Sequence, residues 1–152
     1  MTKQVSAPCL CLSVAKHMKK NPIQKFLELS ATSYHAMPSS DEHEMEHNYS
    51  HKMAWGRAGV SALKALATAC DGVAIKISHN KSGSIDRGYV SGFVSSKDGT
   101  KTVYISINDG MNDILYRTAK HPADYTGGSN NTVGINDFGF CCVLSFLTEN
   151  LK

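Results

Sequence analysis

The stretch Val73–Ile107, VAIKISHNKSGSIDRGYVSGFVSSKDGTKTVYISI, holds three apolar runs parted by turn signals. Val73, Ile75 and Ile77 alternate with Ala74, Lys76 and Ser78, and Tyr89–Val94 forms a second run. In the third, Val103, Ile105 and Ile107 alternate with Thr102, Tyr104 and Ser106. A period of two sends successive side chains to opposite faces of a strand. The segments Asn80–Ser84 and Lys97-Asp98-Gly99 turn the chain but are too short for crossover helices, so the strands must run antiparallel.

Toward the C-terminus, Asn108-Asp109-Gly110 is expected to open a helix over Met111–Lys120, which ends before Pro122. The loop Asp124–Asn131, DYTGGSNN, then leads to Phe138–Leu147, an almost wholly apolar segment that reads as a buried central strand.

Toward the N-terminus, Asp41–Trp55 reads DEHEMEHNYSHKMAW and carries three of the seven histidines at a spacing of four. Ser39 with Glu42 makes a capping box, and Asp41, Glu42 and Glu44 complement the positive end of a helix dipole. Unbroken to Cys70, this helix would span about 45 Å at 1.5 Å per residue, long enough that Gly56 and Gly59 are the expected place for a bend or break. Met45, Tyr49 and Met53, continued by Val60 and Leu63, form the apolar stripe expected to face the core. Asp71-Gly72 supplies the stop. Asn21-Pro22 opens a shorter helix over Pro22–Ser30 that buries Ile23, Phe26 and Leu27. Alternation in Cys9–Val14 predicts a first short strand.

The fold expected is α+β: one domain over residues 1–152, with a mainly antiparallel sheet of four to five strands and helices packed chiefly on one face. The element order expected is β-α-α-β-β-β-α-β. A length of 152 residues suffices for a core without metal or disulfide, and 41% hydrophobic with 19% charged residues is ordinary globular composition. No run approaches a membrane span. Five cysteines, an odd number without a C-x-x-C pair, predict reduced thiols in the cytoplasm; no signal peptide is read. A net charge of +3 permits nucleic-acid contact without demanding it. Lys16, Lys19, Lys20 and Lys25 read as a solvated basic face.

Two groups of residues carry chemistry. His43, His47 and His51 line one side of the central helix, opposite Met45, Tyr49 and Met53, and are expected to point away from the core as tentative metal ligands. His43-Glu44-Met45-Glu46-His47 spells H-E-x-x-H, in which two imidazoles share a zinc ion and Glu44 deprotonates a zinc-bound water. This pentad resembles the motif of the zincin peptidases. The resemblance implies zinc as cofactor and a hydrolase, but it covers five residues. Glu46 stands where zincins carry an uncharged residue, the strands follow the helix rather than precede it, and no third ligand is evident. His51 lies about 12 Å along the helix from His43, too far for one ion to take all three rings undistorted.

The second group lies in 108–131. A helix opening at Asp109 and Gly110 would offer unpaired N–H groups to an anion, and Gly127, Gly128, Ser129 and Asn130 could wrap further donors around it. Arg117 would be the fixed cation, with Tyr116, His121 and Tyr125 completing the pocket. No P-loop, dinucleotide fingerprint or nucleophile-elbow pattern occurs. The function expected is therefore that of a small soluble binding or inhibitory protein, by analogy with phage and plasmid accessory proteins. It would engage a small anionic ligand such as a nucleotide, or a protein partner, through 108–131; a zinc hydrolase is the alternative. The sheet face carrying Tyr89, Phe93 and Tyr104 is expected to form a second, partly buried face; left uncovered by a helix, it would instead offer a surface for a partner or for self-association into a homo-oligomer.

Overall fold

The computed structural model describes residues 21–32, 34, 42–81, 86–126 and 128–152, with residues 42–47 described as backbone alone. The strand expected at Cys9–Val14 and the basic residues Lys16, Lys19 and Lys20 lie outside the described residues.

The first helix, α1 (Pro22–Ala31), starts as its cap dictates: Ile23 N donates to Asn21 Oδ1 at 2.9 Å, and Pro22 occupies the first turn, where a missing N–H removes no bond. Ile23 and Phe26 enter the core. The central helix α2 (Glu42–Ala69) runs unbroken through 28 residues, so the break expected at Gly56 and Gly59 does not occur. The glycines serve close packing instead. A Cβ on Gly56 would overlap the His79 ring, and one on Gly59 would lie 2.7 Å from Val90 Cγ2. At the C-terminus Gly72 N donates to Ala67 O and Asp71 N to Thr68 O, with Asp71 in the left-handed conformation at φ 58°, a Schellman stop.

The phase of α2 differs from the expected one. Trp55, Ala58, Gly59, Ala62, Leu63 and Leu66 are buried, whereas Tyr49 is 59% exposed and Met53 and Val60 are half-buried. Of the stripe expected to face the core, Leu63 is buried, Val60 packs against the core from its edge, and Met53 and Tyr49 lie progressively toward the outside; the Met45 side chain falls outside the described residues. Alanine and glycine let the helix axis approach the sheet on the side where larger side chains would hold it off.

Five strands follow: β1 (Val73–Asn80), β2 (Tyr89–Ser95), β3 (Thr102–Asn108), β4 (Asp113–Ala119) and β5 (Asn131–Gly134). They pair in sequence order, each antiparallel to its neighbours. One bulge interrupts β1 between Ile75 and Ser78, where Lys76 takes φ 54°. Val90, Val94, Val103, Ile105, Ile107, Ile114 and Tyr116 make the inner face and join the three helices in one core cluster. Phe26 is its pivot, 5.3 Å from the Trp55 ring and 6.1 Å from that of Phe140.

Two elements change type. The helix expected over Met111–Lys120 is strand β4: Asn112 N donates to Asp109 O, Asn112 takes φ 52°, and the segment closes a hairpin rather than capping a helix. The strand expected over Phe138–Leu147 is the helix α3 (Asp137–Asn150), capped by Asn136, whose Oδ1 accepts from Gly139 N at 2.8 Å. A ten-residue apolar run exceeds the usual buried strand and is wide enough to cover the sheet as a helix. The described order is thus α-α-β-β-β-β-β-α. No helix among the described residues is long and apolar enough to cross a membrane.

Candidate functional site

The histidine row lies on α2. The side chains of His43, Glu44 and His47 fall outside the described residues. His51 does not turn away from the packed interior. Its ring is half-buried, stacks on Tyr34 with centroids 5.8 Å apart, and places Nε2 3.0 Å from Arg87 Nη1. A guanidinium carries only donors, so His51 Nε2 accepts this bond and its lone pair is directed at Arg87 rather than at a metal. Among the described residues no three His, Cys, Asp or Glu side chains are grouped to hold a metal ion.

Arg87 itself lies in a turn-like stretch of sequence, and it is the most connected charge among the described residues. Its side chain is 7% exposed and pairs with Asp109 through Nη2 at 2.9 Å and Nε at 3.0 Å, while its backbone N donates to Asp109 Oδ2. Nη1 donates to the carbonyls of Leu29 and Thr32, and Nη2 to that of Ser30. These close the C-terminal end of α1, where backbone carbonyls are unpaired and the helix dipole favours a cation. All five N–H groups have protein acceptors, so Arg87 is an anchor and has no donor left for a ligand. His79 stands beside it: Nε2 donates to Arg87 O at 2.8 Å. Burial lowers the His79 pKa below its usual value, with Lys52 and Lys81 adding to the effect against the opposing Arg87 hydrogen bond.

The residues expected to form an anion pocket are dispersed. Asp109 and Gly110 sit in the β3–β4 turn, with Asp109 committed to Arg87. His121 and Tyr125 follow the opposite end of β4, about 20 Å away at 3.3 Å per residue. Tyr116 and Arg117 are neighbours in one strand and so face opposite ways. Tyr116 packs into the inner core against Phe146, where burial pushes its phenol pKa up. Arg117 lies on the outer face, 3% exposed, over the Tyr104 ring at 4.9 Å. Its Nη2 donates to Asp124 O at 2.8 Å and its Nη1 to Thr118 O at 3.2 Å. Tyr125 folds over the same face, 5.1 Å from Phe93 and 5.9 Å from Tyr104, so these rings form a second, partly buried layer. Gly128, Ser129 and Asn130 are exposed beyond it, and Gly127 lies outside the described residues.

Open cationic surface lies elsewhere, along the outer side of α2. A cleft of about 390 Å³ between α1 and α2 is lined by Lys25, Leu29, Ala54, Arg57 and Ser61 among others. A second of about 380 Å³ between α2 and β1 is lined by Met53, Gly56, Arg57, Val60, Ser61, His79 and Lys81. Arg57 and Ser61 border both, and among the described residues neither lining includes a carboxylate. Ion pairs among the described residues join Arg87 to Asp109, Lys97 to Asp71 and Arg117 to Asp124; none involves Lys25, Arg57, Lys64 or Lys81. A third cleft, of about 410 Å³, mixes Asp71, Asp98, Lys97 and Lys152 with Cys70, whose thiol pKa burial pushes up and so away from the reactive thiolate.

No family model, no curated protein and no solved structure matches the chain. The sequence signal for the α2 surface was present as Tyr49, Met53, Arg57, Val60 and Lys64, spaced for one side of a helix. Tyr49, Met53 and Val60 in this row belong to the apolar stripe expected to face the core, and their apolar character obscures the cations between them.

Proposed function

We propose that this chain is a binding protein whose ligand or partner is anionic, engaged through the outer side of α2. The class is the one the sequence suggests; the place moves from 108–131 to the surface centred on Arg57. One observation carries the reading. The two buried arginines are taken up by protein acceptors, whereas Lys25, Arg57 and Lys81 line two adjoining clefts in which no described residue supplies a carboxylate. Cations left unopposed in concave surface raise the local concentration of anions and steer their approach.

Inorganic polyphosphate is a suitable probe, because it offers charge without bases or side chains. At about 100 times its Kd, a ligand bound to the folded state adds about 2.7 kcal/mol, which for a domain of this size raises Tm by roughly 5–10 °C. That rise is expected at low salt, and it should disappear in a Lys25→Glu, Arg57→Glu, Lys81→Glu variant. An unchanged melting temperature for the unmodified protein would remove the reading.

A further inference from the structure

Resting on the reading that this surface takes an anion, we infer that its ligand is single-stranded nucleic acid. Positions 49, 53, 57, 60 and 64 fall within roughly 80° of arc on α2, so Tyr49, Met53, Val60, Arg57 and Lys64 form one strip along the helix. Lys25 of α1 flanks the strip on one side and Lys81, just past β1, on the other, each at the rim of its own cleft.

The layout matches a chain of phosphates better than a single one. An isolated phosphate is held by donors converging in one enclosed pocket, whereas here the cations belong to three elements and Arg57 divides two clefts in series. A repeating anion can meet several of them in turn. Tyr49 adds what a purely ionic partner would not use. Its ring is 59% exposed on the same strip as Arg57, and Met53 and Val60 beside it give a half-buried apolar floor. Unpaired bases stack on such a ring whatever their sequence, while the backbone follows the cations. In a duplex the bases are already stacked on one another and leave Tyr49 without a partner.

The test is fluorescence anisotropy with the full chain and an end-labelled oligothymidylate of 20 nucleotides, in salt from 50 to 200 mM. With four cations engaged, log affinity should fall against log salt with a slope of about −3, roughly a 50-fold loss over that range. Arg57→Gln should reduce the slope by about 0.7. Tyr49→Ala should weaken binding about 5- to 50-fold and leave the slope unchanged, the signature of lost stacking. Both side chains are exposed, so neither change threatens the fold. Lys120→Gln, beyond the far end of β4, should leave the slope unchanged.

Equal affinity for a duplex of the same length with no effect of Tyr49→Ala would overturn the inference, as would a slope lowered as much by Lys120→Gln as by Arg57→Gln. If polyphosphate raises Tm but the oligonucleotide does not bind, the nucleic-acid assignment fails and an acidic protein surface becomes the partner. If neither binds, both readings fail.

Discussion

Arg87 and Arg117 are both buried, both paired with an aspartate and both set over aromatic rings, yet they hold different kinds of structure. Arg87 joins partners 22 to 58 residues away: Asp109 in the β3–β4 turn, His51 on α2, and three carbonyls at the end of α1. Apart from the Tyr104 ring beneath it, Arg117 reaches only Thr118 and Asp124 among the described residues, so its hydrogen bonds order the loop that follows its own strand. The Lys120 amide, donating to Asp124 with weaker help from the Thr126 amide and then from Arg117, holds that carboxyl below its usual pKa. Burying a charge costs several kcal/mol unless its enclosed polar atoms are hydrogen-bonded, and among the described residues no enclosed side-chain N or O lacks a partner. What differs is the length of chain that each one closes.

Replacing Arg87 should have the largest effect. Arg87→Met leaves Asp109 charged and enclosed and exposes the carbonyls of α1, a loss of about 3–5 kcal/mol, read from the urea midpoint and slope. A double variant, Arg87→Met with Asp109→Leu, should recover part of it, because the stranded carboxylate is gone. Arg117→Met should lose less, about 1–2 kcal/mol, with the damage confined to the loop. Native-state hydrogen exchange is the sharper measurement there: amides of 120–126 should lose protection while those of α1 keep theirs. Equal global losses from the two variants would erase the contrast.

The smallest effect separates the two regions by pH. His79 is held neutral beside Arg87, with a folded pKa below the usual 6.5, so the unfolded chain takes up its proton first as pH falls. Its stabilising contribution is complete above about pH 6.5, declines below it, and stops declining once the folded ring also protonates. The denaturation midpoint should therefore drop between pH 7.5 and 5.5 by more in the unmodified protein than in His79→Gln. An identical drop in both would assign the effect to other histidines. Asp98 acts at the other extreme. Hydrogen bonds from Ser96 and from Thr100 hold its carboxyl at about 2, so its contribution is present above the ordinary aspartate range and is lost only as pH falls toward that value.

The limits of what the sequence conveys follow from the same contrast between near and distant partners. Asn21-Pro22, Asp71-Gly72, and the alternation of Val103, Ile105 and Ile107 act on residues a few positions away, so α1, the stop of α2 and the first three strands could be read directly. In β4 the alternation is masked, because Ile114 and Tyr116 are buried on one face and Arg117 on the other. Phe138–Leu147 is apolar on every side, a pattern shared by a buried strand and a covering helix, and only the sheet beneath it selects the helix.

For the candidate site the division is clearer still. The sequence by itself determined an antiparallel meander and helical periodicity on both sides of Gly56 and Gly59, since period and spacing are local properties of the backbone; the unbroken run of α2, which sets Tyr49, Met53, Arg57, Val60 and Lys64 in one row, is visible only in the structure. Only the tertiary structure decided which side of that helix meets the sheet, which arginines are enclosed and which cations stay open. Those outcomes depend on Trp55, Gly59, Ala62 and Leu66 fitting against Val90 and its neighbours, and on Arg87 finding acceptors far along the chain. Steric fit and hydrogen-bond satisfaction between distant segments leave no periodic trace in a sequence.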